Sequence, residues 1–260
     1  MNSLLWSRGA YATVAPPVCP VAPFNPATLN LSLWLEGHDC PGAGINWASR
    51  ASAGTSGSIV TDFVSGGGPQ ALTKPLGVAP CGLETAQFRV SPYSVLKINQ
   101  APGQYILPGT TGTAVAAFKF HTGRDFGFGP EYVSAILHEY NDHWRMAMTP
   151  AGAARVTAYT ASGMQTATTA NTVSSGDWCI VECQWDSTEC RVRLNRGAWA
   201  SFASVRFPLA SGTVYLGVDA NFGAQVDADI GLTIVANSVL SAGDLTNLQD
   251  YCEWYIGTTV

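Results

Sequence analysis

Charge is what this chain has least of. Asp, Glu, Lys and Arg make up 12% of its 260 residues, against roughly 25% in an ordinary soluble domain. Thirteen basic residues face eighteen acidic ones, for a net charge of −5, and they form no basic stripe. Binding along a phosphate backbone needs clustered Lys and Arg to displace counterions, so nucleic acid is excluded as a partner. Long apolar runs are also missing. None approaches the roughly 18 residues that a membrane-crossing helix needs, so no membrane span is expected. The opening Met1-Asn-Ser-Leu-Leu-Trp-Ser-Arg8 carries its charge after its apolar residues and has no long hydrophobic stretch, so no export signal is expected. Cys-x2-Cys pairs with nearby histidine are absent, which removes the usual zinc arrangements. The seven cysteines (Cys19, Cys40, Cys81, Cys179, Cys183, Cys190 and Cys252) are odd in number and irregular in spacing. A chain of this size needs no disulfide framework. Cys179 and Cys183 share a strand face with Val181 and Trp185 and read as small buried hydrophobes, with a bridge or metal site as the alternative.

What the chain has instead is apolar and hydroxylated. Hydrophobic residues make up 47%, and there are 43 Ser and Thr and 27 Gly. A chain of this length folds to about 11,000 Å² of surface from about 40,000 Å² when extended, enough for one sizeable core. Intrinsic disorder is excluded. The surface left over is neutral and rich in Ser, Thr, Gly and Ala.

The first 23 residues differ from the rest. Ala15-Pro-Pro-Val-Cys-Pro-Val-Ala-Pro23 has four prolines in nine residues, which favours an extended arm. This arm is either a solvated linker or an anchor lying along a neighbouring subunit. From Phe24 to Val260 the chain reads as one β domain. Short alternating runs recur between Gly, Pro, Ser and Asn clusters: Leu33–Glu36, Ser58–Val64, Thr113–Phe120, Val133–Leu137 and Trp144–Met148. Ala154–Tyr159, Cys179–Trp185, Arg191–Leu194, Thr213–Val218 and Ile230–Ala236 continue the series. Cys179–Trp185 and Arg191–Leu194, joined by Asp186-Ser-Thr-Glu189, form a predicted hairpin with Arg191 and Arg193 facing outward. Ten short strands without alternating helices point to an all-β antiparallel sandwich. One helix is predicted near the end. Ser241 is its N-cap and Asp244 completes a capping box, while Leu240 and Leu245 form a hydrophobic staple. Leu245, Leu248, Cys252 and Tyr255 share one face, and Gly257 ends the helix in a left-handed turn. This helix is expected to close the domain.

Four stretches together resemble the concanavalin A-like lectin/glucanase superfamily, in its laminin-G-like branch of phage particle and bacterial surface proteins. Phe24-Asn-Pro-Ala-Thr-Leu-Asn-Leu-Ser-Leu-Trp-Leu-Glu36 is similar to that branch's opening strand. Gly176-Asp-Trp-Cys-Ile-Val-Glu182 resembles its Gly-x-Trp strand start. Cys190-Arg-Val-Arg-Leu-Asn-Arg-Gly197 resembles a strand ending in an Asn-Gly turn, with Arg196 interposed. Val226-Asp-Ala-Asp-Ile-Gly-Leu-Thr-Ile-Val-Ala236, then Leu240-Ser241 and a helix ending in Tyr255-Ile-Gly257, resemble the closing pattern. Leu232 and Ala236 depart from it, standing where many relatives carry Glu and an aromatic, and both read as packing positions. The resemblance spans residues 24–260 and implies a two-sheet jelly-roll sandwich with one C-terminal helix. In many members its concave face and loops bind glycans. Fold alone does not settle function.

Glucanases of that superfamily place carboxylates along one strand as Glu-x-Asp-x-x-Glu, and retaining hydrolysis needs two carboxyls about 5–5.5 Å apart. The nearest approach here, His138-Glu-Tyr-Asn-Asp-His143, lacks the second Glu, and Glu139 and Asp142 would point to opposite sides of a regular strand. No Gly-x-Ser-x-Gly elbow accompanies the histidines, and Gly66-Gly-Gly-Pro69 precedes no phosphate-binding helix. No catalytic residue and no cofactor is therefore expected. Sugar binding needs an aromatic ring to stack and polar groups to bond hydroxyls. Tyr140, Asn141, Asp142 and His143 offer both, as do Asp219, Asn221 and Phe222; ordinary turn chemistry explains either segment equally simply. Asp227 and Asp229 share a strand face near Asp219, but without a metal-loop spacing, so no calcium site is assigned. Trp144 is placed in the core with Met146 and Met148.

These readings converge on a non-enzymatic virion structural or decoration protein, of a tailed phage, displaying a lectin-like domain. Its expected partners are capsid or tail proteins held through the arm, further copies of itself in a homo-oligomer, and glycans. It would assemble in the host cytoplasm and end on the virion surface. The alternative is a free carbohydrate-binding module of a bacterial surface protein, extracellular or cell-surface, with a glycoside hydrolase third.

Overall fold

The computed structural model describes residues 21–39, 47–51, 59–62, 77–78, 84–88, 96–99, 107, 109–123, 134–139, 144–203, 214–217 and 226–260. In chain order its strands begin with β1 (Leu31–Glu36), β2 (Trp47–Ala48), β3 (Ile59–Asp62), β4 (Gly77–Val78), β5 (Glu84–Phe88) and β6 (Leu96–Asn99). The middle of the chain forms β7 (Gly112–Gly123), β8 (Ser134–Glu139), β9 (Trp144–Met148), β10 (Ala153–Thr160) and β11 (Gly163–Thr172). Then follow β12 (Trp178–Trp185), β13 (Glu189–Leu194), β14 (Ala200–Ala203), β15 (Val214–Leu216) and β16 (Val226–Ala236), and the helix α1 (Ala242–Ile256). The Pro-rich segment 1–20 lies outside the described residues. Among those described, no helix is long and apolar enough to cross a membrane.

The strands form two antiparallel sheets. Sheet A runs β14-β13-β12-β7-β16-β5-β4, and sheet B runs β11-β10-β9-β8-β15-β6-β3-β2. In sheet A, β7 pairs with β16 along its whole length, while the other edge of β16 is shared by β5 at Ala228–Ile230 and β1 at Leu232–Ala236. The expected jelly-roll sandwich with a C-terminal helix is the observed architecture. β7, β10 and β16 are longer than their predicted runs, β3 and β15 are shorter, and β2, β4, β5, β6, β11 and β14 have no predicted counterpart. For β11 the reason is that it is an edge strand of mostly exposed Thr and Ala, which carries little apolar alternation.

Alternation decides which side chains meet. On β7, Ala114, Ala116, Phe118 and Phe120 enter the core between the sheets, while Val115 and Ala117 face α1. The central strand therefore reads as an unbroken apolar run because both its faces are covered. Cys179, Val181, Cys183 and Trp185 of β12 all point into the inter-sheet core, as expected, and the described thiols of Cys179, Cys183, Cys190 and Cys252 are unbridged. Burial pushes the Cys179, Cys183 and Cys252 thiols well above their ordinary range, so they stay protonated and inert. Trp144 of sheet B meets Trp185 of sheet A with ring centroids 5.1 Å apart. Gly112 makes room for that contact, since a Cβ there would sit 2.2 Å from the Trp185 ring.

The helix behaves as its sequence prescribes. Ser241 Oγ accepts the Asp244 N–H and its hydroxyl donates to the Asp244 carboxylate, at 3.1 and 2.8 Å. Gly257 closes the helix at φ 69°. Leu245, Leu248, Cys252 and Tyr255 pack on the outer face of sheet A with Leu31, Leu232, Ile234 and Ala236. Leu232 and Ala236 are thus packing positions beneath α1. The turn after β13 explains the interposed arginine. Asn195 and Arg196 both take positive φ, 49° and 56°, and the Arg196 side chain reaches across to Asp250 and Glu253 of α1.

The β12–β13 turn depends on one carboxylate. Asp186 accepts hydrogen bonds from the Thr188 hydroxyl and N–H and from the Glu189 N–H, at 2.6, 2.7 and 2.9 Å. The Thr188 bonds hold its carboxyl below the usual range. A carboxyl that titrates lower in the folded chain contributes stability above its unfolded pKa and loses it as pH falls through the folded one. Asp186→Ala is expected to cost about 1 kcal/mol near neutral pH and progressively less in acid, as read by denaturant unfolding across pH. A cost that does not change with pH would remove this role.

Candidate functional site on the outer face of sheet B

Tyr140, Asn141, Asp142, His143, Asp219, Asn221 and Phe222 lie outside the described residues. The strand residues that flank the first of these segments, Glu139 and Trp144, are described. Glu139 and Trp144 lie at the end of sheet B where β10 turns into β11, because Trp144 pairs with Ala158. β15 runs antiparallel to β8, with Val214 against Glu139 and Leu216 against Leu137.

Sheet A has α1 on its outer face, and the outer face of sheet B is exposed at its β10–β11 end. Trp144, Met146 and Met148 fill the core from β9, as do Ala154, Val156 and Ala158 from β10. Alternation then turns Arg145 and Ala147, and Arg155, Thr157 and Tyr159, to the outer side. Register aligns Thr166, Thr157, Arg145, His138 and Tyr215 in one row across β11, β10, β9, β8 and β15. Lys97 of β6 holds the next register position. The row changes character along its length. His138 and Tyr215 are enclosed, at 0% and 3% exposure, whereas at the β10–β11 end Tyr159 is 47% and Met164 59% exposed.

Tyr159 and Met164 are directly opposed, and so are Thr157 and Thr166, whose hydroxyls lie 3.2 Å apart. Arg155 Nε donates to Thr168 Oγ1 at 3.0 Å. Arg145 stands beside Thr157, with its Nε enclosed and without a hydrogen-bond partner. The result is a flat apolar step of Tyr and Met, bordered by hydroxyls and two guanidinium groups. Such a surface can stack a ring and bond polar substituents. Sequence reading placed Ala154–Tyr159 on a strand without assigning it a site. The usable signal was the period-two series Arg155, Thr157 and Tyr159, which recurs as Met164, Thr166 and Thr168.

Glu36, Glu182 and Asp229 are engaged in holding the fold. Glu36 is buried, accepts from Trp34 Nε1 at 2.9 Å and from the Tyr251 hydroxyl, and pairs with Arg50 at 3.1 Å. Burial and that carboxylate push the Tyr251 phenol well above its ordinary range. Glu182 is buried under α1 and held by Arg193; burial raises its carboxyl against the pull of that arginine. Asp229 faces His121 Nε2 at 2.9 Å, and no cluster of three metal-ligating side chains occurs among the described residues. A groove of about 680 Å³ runs between Val21, Pro23, Trp254 and Thr258, where the N-terminal segment meets the end of α1.

No family model matches the chain, and no curated protein matches it. Solved structures with a similar fold do exist. Domain 4 of AbnA, a GH43 extracellular arabinanase from Geobacillus stearothermophilus, in complex with arabinotriose, is 12% identical, with a TM-score of 0.51. The match covers 85% of this chain and 98% of that domain. The binding domain of botulinum neurotoxin DC, in complex with SialylT, is 9% identical with a TM-score of 0.56, over 86% of this chain and 52% of the toxin domain. The botulinum neurotoxin serotype C1 binding domain is 10% identical with a TM-score of 0.54, over 84% of this chain and 51% of that one. At these identities the likeness is one of fold, a lectin-like β-sandwich.

Proposed function

We propose that this chain is a non-enzymatic glycan-binding jelly-roll protein, mounted on a virion as a structural or decoration protein of a tailed phage. The observation that carries glycan binding is the β10–β11 end of sheet B. There an exposed Tyr159–Met164 pair adjoins the Thr157 and Thr166 hydroxyls and the guanidinium groups of Arg145 and Arg155. The similar arabinanase domain, seen with arabinotriose, supports the same reading for a fold of the same extent. Tyr140, Asn141, Asp142 and His143 are proposed to extend the site, since Glu139 and Trp144 bring the chain to this end of the sheet. Asp219, Asn221 and Phe222 are proposed as a further contact. Binding without bond cleavage is supported by Glu36 and Glu182, whose carboxylates are buried in ion pairs under α1.

The virion setting is supported by the sparse charge and by the unbridged core thiols, which suit assembly in a reducing cytoplasm. In this reading residues 1–23 are the anchor and 24–260 the displayed domain, repeated in a homo-oligomer. The likeness to one domain of an extracellular enzyme favours the second reading, a free carbohydrate-binding module.

Two experiments test the proposal. On a glycan array, Tyr159→Ala is expected to weaken binding about tenfold through lost stacking, with the melting temperature unchanged. Undiminished binding would remove Tyr159 from the site. Deleting residues 1–23 is expected to abolish attachment to particles and leave melting nearly unchanged. Attachment that survives the deletion, by a chain sedimenting as a monomer, would favour the free module.

A further inference from the structure

On the glycan-binding reading of this same face, we infer that the site is selective for acidic saccharides, carboxylated or sulfated, and that Arg145 holds the anionic group. Residues 144–172, which form β9, β10 and β11 with their turns, contain two arginines and no Asp or Glu, in a chain whose net charge is −5. The two arginines share the outer face. Arg145 lies opposite Thr157, and Arg155 lies opposite Ala147 on the same strand pair. They are therefore diagonal neighbours, a spacing long side chains bridge easily. Two like charges so placed repel each other, and an anion between them removes the repulsion.

Arg145 also differs from every other described arginine. Arg50 is paired with Asp39 and Glu36, Arg193 with Glu182, and Arg196 with Asp250 and Glu253. Arg191 donates to Gln184, and Arg155 to Thr168. Arg145 alone has no such acceptor, and its Nε is enclosed without a hydrogen bond. An enclosed N–H without an acceptor is destabilising by itself, while the half-buried Arg145 keeps its outer guanidinium nitrogens within reach of a ligand. A carboxylate or sulfate supplies the counter-charge, with two oxygens for the outer N–H groups of the guanidinium. The exposed Thr166 hydroxyl beside it can bond a neighbouring sugar oxygen, with the buried Thr157 hydroxyl behind it at 3.2 Å, and Tyr159 with Met164 can carry the ring. A neutral sugar would use the platform and leave the guanidinium unanswered.

The test is a glycan array, probed with the full chain, that carries neutral glycans beside their carboxylated and sulfated counterparts. The expected result is a preference of about tenfold or more for acidic members, shrinking as salt is raised. The paired arms show whether carboxylate or sulfate is the better group. Arg145→Gln is expected to abolish the preference by weakening acidic members far more than neutral ones, and to melt no lower than the parent chain. Arg145→Lys, which keeps the charge but loses the fork, is expected to retain part of the preference. Equal binding of neutral and acidic members overturns the inference and leaves glycan binding standing. So does a preference that survives in Arg145→Gln. A parent chain that binds no member overturns both.

Discussion

Sheet A is apolar on both faces, and the arrangement of the whole molecule follows from how those faces are covered. Strands that alternate between two buried sides cannot be served by one partner layer. Sheet B takes the side presented by Ala116, Phe118, Val181 and Cys183, and α1 takes the side presented by Val115, Ala117, Ile180 and Leu232. With the helix committed there, the exposed part of sheet B lies at its β10–β11 end, where Tyr159 and Met164 face outward. The position of the proposed site thus follows from where the hydrophobic surface had to go.

The charges beneath α1 follow from the same constraint. Glu36 and Glu182 lie on strands whose outer faces the helix covers, so each needs partners in place of water. Glu36 has Trp34, Tyr251 and Arg50; Glu182 has Arg193. Arg191 and Arg193 in turn stack over Trp199, with 4.6 and 4.7 Å to its ring. Arg196 accepts a left-handed backbone, ordinarily better suited to glycine, and from there clamps the helix at Asp250 and Glu253. A carboxylate fixed in this way orients a helix and is poorly placed to attack a substrate.

Much of the fold was legible along the chain. The caps at Ser241 and Gly257, the apolar face through Tyr255 and the β12–β13 hairpin are local features, set by residues a few positions apart. The β11 edge was not legible, because its exposed Thr-rich face lacks the apolar alternation that marks a strand. The candidate site was read from loop chemistry at Tyr140–His143, whereas the structure draws attention to Arg145, Arg155, Tyr159 and Met164 on neighbouring strands. None of these stands out in its own segment. An Arg or Met on a polar strand face is ordinary until cross-strand register places it beside the others.

Sequence by itself determined the two-residue rhythm of the strands, the extent and caps of the helix, and the scarcity of charge. Those are properties of neighbours along the chain, governed by local backbone geometry and side-chain alternation. Tertiary structure alone decided which face of which sheet receives the helix, and which strands lie side by side. That choice is made by non-local burial, when Leu245, Leu248 and Tyr255 find the outer side of sheet A. It leaves two arginines, a tyrosine and a row of hydroxyls together on the far side of the molecule.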